Sequence, residues 1–150
     1  MSRQKIGLLI LIIFLAAIQF FQPPRNETSL VLGADISEVY RMPDSIQTLL
    51  QNSCYDCHSN HTEYPWYSNI QPFRWWMASH ITKGKTELNF TEFGNYSIRR
   101  QQSKLKAIKN ALKDDSMPLS SYTLIHTKAR LSEMEKASII NWIDKTQDSL

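Results

Sequence analysis

Five consecutive residues in this chain could do chemistry together. Cys54-Tyr55-Asp56-Cys57-His58 matches C-x-x-C-H, the pattern through which c-type haem is attached. The spacing has a mechanical basis. Two thiols three residues apart can reach the two vinyl groups of one porphyrin edge. His58, the next residue, then lies below the ring with an imidazole nitrogen for the iron. The chain's 2 cysteines both lie in this motif. Other readings of the same residues stay open. A redox C-x-x-C would need a helix N-terminus and a nearby βαβ pattern. A zinc site could draw on Cys54, Cys57, His58 and His61, although the adjacent Cys57 and His58 are hard to aim at one tetrahedral ion. A plain disulfide is the third.

The iron of such a haem takes Met or His on its other face, or stays open. Met117 is the first candidate, because Met117-Pro118 lies between a basic helix and the last helix. Small monohaem cytochromes c carry a distal Met-Pro in that position relative to their attachment site. His126 and His80 are the alternatives for this distal position. With none of them bound, the open iron would suit gas binding or peroxide chemistry. Tyr64, Trp66, Tyr67, Phe73, Trp75, Trp76, Phe90 and Phe93 crowd together after the motif and are expected to wall the haem.

The elements that must position these residues read as helices. Pro43 starts a short one with Ile46, Leu49 and Leu50 on one face. Pro72 to about Lys85 is another, weakened or ended by Gly84. Ser97 to Leu112 is a clear amphipathic helix, stopped by Asp114-Asp115-Ser116. Ser132 with Glu135 forms a capping box for the last helix. With only 4 Gly and 6 Pro and no run of strands, the chain is expected to be all-α.

Upstream, Arg3 and Lys5 precede the apolar run Ile6 to Phe21, the pattern of a signal anchor. The expectation is a transmembrane helix over residues 1–22 and a linker over 23–42. A c-type haem-binding domain, small and cytochrome c-like, then covers 43–147. Basic residues tend to stay cytoplasmic, so this places the chain in a bacterial inner membrane, single-pass, with the haem domain in the periplasm.

Charge adds one feature. The net charge is +3, yet Arg99, Arg100, Lys104, Lys106, Lys109 and Lys113 fall in one stretch without an acid. Without those six, 11 basic residues face 14 acidic ones. The stripe is either a solvated helix face or a dock for an acidic redox partner or anionic lipid headgroups. Nucleic acid is not expected.

Beyond the attachment motif, the chain resembles the bacterial haem-binding domain family of small c-type, often membrane-anchored proteins. The resemblance runs through Cys54–His58 with Ser59-Asn60, Pro65-Trp66-Tyr67-Ser68, Pro72, Trp76, and His80-Ile81-Thr82-Lys83-Gly84-Lys85. It continues through Leu88–Glu92, Met117-Pro118, Tyr122, His126, Ala129–Ser132, Glu135 and Trp142, covering about residues 43–144. Lys85 and Phe93 stand where the family more often has Arg and Trp, and His80 falls at a position that varies within it. The resemblance implies one covalent haem c at Cys54 and Cys57 with His58 as proximal ligand. It does not fix the reaction. The leading expectation is a membrane-anchored electron carrier rather than an enzyme. The alternative is a haem-based sensor or small peroxidase-like enzyme with an open distal site.

Overall fold

The computed structural model describes residues 2–28 and 33–149. Met1 of the expected anchor and residues 29–32 of the expected linker lie outside the described residues. Among the described residues eight α-helices form in chain order: α1 (Arg3–Ile18), α2 (Ile36–Val39), α3 (Asp44–Leu50), α4 (Asp56–His58), α5 (Phe73–Glu87), α6 (Ile98–Lys113), α7 (Ser120–Thr123) and α8 (Glu133–Asp148). A π-helical stretch, Gln51–Tyr55, joins α3 to α4, and short 3-10 turns lie between the others. Extended pairing among the described residues is limited to a single bridge between Glu27 and His61. The chain is all-α, as its periodicity predicts.

The core gathers one face from each of several helices. Ile36, Ile46, Leu50, Phe90, Phe93, Leu105, Ile139, Trp142 and Ile143 form one buried cluster. The longest helices with buried faces, α6 and α8, pack antiparallel. Gln147 reaches the Gln102 carbonyl, Lys109 pairs with Asp144, and Lys136 pairs with Asp115. Leu105 and Leu112 are buried in the cluster, while Arg99, Arg100, Lys106 and Lys113 of α6 are exposed. The α8 capping box forms as expected, with Ser132 Oγ accepting from the Glu135 amide. Asp115 takes a left-handed φ of 56° at the end of α6, and the Ser116 amide turns back to Ala111.

The expected transmembrane helix is corrected. No helix among the described residues is long and apolar enough to cross a membrane. α1 has 16 residues, a rise of roughly 24 Å against a hydrocarbon core of ~30 Å. The apolar run extends beyond the helix, which stops at Ile18 with Gln19 as its C-cap. The Gln19 amide side chain folds back on the Leu15 carbonyl, while its Oε1 accepts from the Gln71 amide at 2.9 Å. Phe20 and Phe21 fall in the turn beyond. There the Phe21 carbonyl accepts from Gln71 Nε2 and Trp75 Nε1, both at 2.8 Å. The single-pass inner-membrane location rested on that span and falls with it.

Two further expectations change. Residues 33–42 do not behave as a tether, since Ile36 is fully buried in the core. Gly84 does not end its helix, and α5 continues to Glu87.

Candidate functional site

The π-helical stretch and α4 wind Cys54, Cys57 and His58 onto one side of a continuous helical ramp. Spacings of three and four residues share a helix face, so the two thiols and the imidazole look the same way. They open into a cleft of about 290 Å³, which Met117, Pro118, Leu119 and Tyr122 also line. The remaining wall comes from α5, through His80, Lys83, Gly84 and Glu87. The volume lies near the lower end of ordinary ligand sites, roughly 300–1,000 Å³.

Gly84 sets the closeness of α5 to the motif. A Cβ there would stand 2.4 Å from the Cys57 carbonyl oxygen, so only glycine admits this approach. α5 therefore passes tightly under α4, and its C-terminal end reaches His58. His58 Nδ1–H donates to the Leu88 carbonyl at 3.1 Å. A carbonyl only accepts, so this bond fixes the tautomer and leaves Nε2 with a free lone pair. Burial lowers the His58 pKa below its ordinary 6.5 despite the carbonyls of Leu88 and Gly84 and the charge of Glu87, and the ring is held neutral. Phe90 meets it edge-on, with ring centroids 6.2 Å apart.

The thiols are neutral too. Burial, with Cys57 nearby, pushes Cys54 up to about 12, and burial with the Asp56 charge pushes Cys57 up to about 11. A redox C-x-x-C needs a lowered thiol pKa, so that reading has no support here. Both cysteines are unbridged. Among the described residues no group of three or more His, Cys, Asp and Glu side chains converges to hold a bare metal ion, which leaves the zinc reading without a site.

The other sequence candidates separate. Met117 lies in the cleft and is 37% exposed. His80 lies there as well, with Nδ1–H donating to the Trp76 carbonyl at 2.9 Å and Nε2 free. His126 does not line the cleft. It borders a larger, polar cavity of about 1080 Å³, and its Nε2 lies 2.5 Å from Tyr67 Oη. The aromatic residues expected to wall the cofactor do not line the cleft either. Phe90 and Phe93 are core, whereas Trp66, Phe73, Trp75 and Trp76 face outward, Trp66 at 77% exposure. The helix that carries Phe73, Trp75 and Trp76, α5, turns His80, Lys83, Gly84 and Glu87 toward the cleft instead.

Sequence reasoning missed Asp56 and Ser53. Asp56 Oδ2 accepts from Tyr122 Oη at 2.6 Å, and Oδ1 accepts from the Glu63 amide at 3.0 Å. That bond, after burial itself, raises the Tyr122 pKa. The Ser53 hydroxyl lines the cleft, is buried, and has no hydrogen-bond partner among the described residues. An orphaned buried hydroxyl costs on the order of 1–3 kcal/mol unless a bound group satisfies it. Neutral thiols, a neutral imidazole with a free Nε2, a thioether and this hydroxyl form a donor set that fits a haem.

A family model described as a haem-binding domain matches residues 13–145. No curated protein and no solved structure gives a match.

Proposed function

We propose that this chain, which belongs to the haem-binding domain family, holds one haem c through Cys54 and Cys57, with His58 and Met117 as iron ligands, and serves as an electron carrier. One observation carries the reading: a single cleft gathers both thiols, the imidazole and a thioether from segments 59 residues apart at their closest, His58 and Met117. Such a cofactor, when bound, supplies reversible one-electron redox chemistry. The chain's own residues do the rest. The neutral thiols of Cys54 and Cys57 sit one helical turn apart, so both can be joined to one porphyrin edge. The Leu88 carbonyl orients His58 and presents Nε2. The Gly84 contact keeps α5 close, so that the motif and Leu88 stay in register. Met117 offers a soft sulfur, which favours reduced iron and raises the potential.

Partner docking follows from charge. Arg99, Lys106 and Lys113 are exposed on α6 and make no ion pair among the described residues, whereas Lys109 is taken by Asp144. That face suits an acidic redox partner, and binding there should weaken steeply with salt.

The test is Met117→Ala in the holo-protein. Wild type should give a low-spin reduced spectrum and bind carbon monoxide slowly. The variant should lose that spectrum and bind carbon monoxide readily. Wild type that takes carbon monoxide as fast as the variant would remove Met117 as ligand and favour a sensor or peroxidase-like protein.

A further inference from the structure

The segment that carries Met117 has few apolar anchors. Between Met117 and the buried Ala129, Leu124 is 73% exposed and Ile125 61%. Its hold on the rest of the protein is polar and converges on Tyr122. The Tyr122 hydroxyl donates to Asp56 Oδ2 across 66 residues of chain. Asp56 is itself fixed from the other side by the Glu63 amide, so the carboxylate is an anchored acceptor. Behind Tyr122 the His126 ring stacks on it, with centroids 4.2 Å apart and planes 13° from parallel. His126 is in turn held by Tyr67 Oη at 2.5 Å. Asp56 lies between the two cysteines, Met117 precedes Tyr122 by five residues, and both Asp56 and Tyr122 line the cleft.

We propose that Asp56 and Tyr122 form a latch that holds the Met117 loop against the Cys54–His58 segment, with Tyr67 and His126 bracing it, so that Tyr122 is a positioning residue for the distal face of the site. The assignment rests on Met117 being the distal ligand as far as its effect on the iron goes; the loop closure itself does not.

A hydrogen bond to a charged acceptor contributes about 1.5–3 kcal/mol, which corresponds to roughly ten- to hundredfold in the population of the open loop. The experiment compares wild-type holo-protein with Tyr122→Phe, Asp56→Asn and Met117→Ala. Two readouts are taken: the rate of carbon monoxide binding to the reduced protein, and amide hydrogen exchange across residues 117–124. Tyr122→Phe keeps the ring stacked on His126, and Asp56→Asn keeps the shape of the side chain, so one replaces the other should either fail to fold. The latch predicts that exchange in 117–124 rises roughly ten- to hundredfold in Tyr122→Phe, and by a smaller but measurable factor in Asp56→Asn, which keeps one acceptor oxygen but loses the charge, while α8 stays protected. Carbon monoxide binding should accelerate by a similar factor, with Met117→Ala setting the ceiling. If Met117→Ala opens the iron but the latch variants match wild type in both readouts, the latch is overturned and the ligand stands. If Met117→Ala changes nothing, the ligand assignment fails, and the exchange rates alone decide the latch.

Discussion

Gly84→Ala sets two forces against each other. Helix propensity alone favours alanine over glycine in mid-helix by about 1 kcal/mol. Packing opposes it, because the new Cβ would lie 2.4 Å from the Cys57 carbonyl oxygen and 3.1 Å from its carbon. Ordinary contact begins near 3.4 Å, so α5 and the motif must part by roughly 1 Å. The obstacle is backbone and cannot swing away, which puts the cost at the upper part of the overpacking range, about 3 kcal/mol. The net expectation is a loss of about 2 kcal/mol, or roughly 4–8 °C in Tm for a chain of this size. Thermal melts of holo-protein by circular dichroism measure it, with Gly7→Ala as control, since nothing lies within 4 Å of a Cβ there. The control should be neutral or slightly stabilised. A Gly84→Ala protein whose Tm is unchanged or raised would refute the close approach, and with it the argument that glycine at 84 keeps His58 in register with Leu88.

Other perturbations test separate parts. Protein produced without haem should lose stability as pH falls through 6.5, because buried His58 has a lowered pKa and the unfolded chain takes up the proton first; above 6.5 this group adds no slope, and a His58→Gln melt series should flatten the acid side. In the same haem-free protein Cys57, at about 11 against an ordinary 9.0, carries roughly a hundredfold less thiolate than a free cysteine, so iodoacetamide labelling at pH 8 should be slower by about that factor. Ser132→Ala removes the cap at the start of α8 and should cost about 1 kcal/mol in urea melts, with little effect on the cleft.

Much of this architecture is legible in the sequence, because helices announce themselves by period and cap. Leu105 and Leu112 mark the buried face of α6, and Ser132 with Glu135 marks the start of α8. The attachment motif is equally local. What escapes is tertiary. Asp56 and Tyr122 are separated by 66 residues, and no period links them; the only local hint is the four-residue spacing of Tyr122 and His126, which stacks their rings. Gly84 reads as a helix breaker, since its value is a contact with Cys57 that sequence does not display. The aromatic cluster reads as a pocket because composition gives no phase. The fold sends Phe90 and Phe93 into the core and Trp66 and Trp76 outward. The apolar N-terminal run extends past the end of its helix, because the fold draws Gln19 and Phe21 into hydrogen bonds with Gln71 and Trp75.

Covalent attachment at Cys54 and Cys57 is the claim on which the rest depends. The chain should be produced with a cytochrome c maturation system, unfolded in denaturant, separated on a gel, and its band examined for haem absorbance and mass. Haem should stay on the unfolded wild-type chain, adding the mass of one haem, and should be lost from the Cys54→Ala/Cys57→Ala double variant. A colourless wild-type band, with a control cytochrome matured in the same cells, would contradict the account.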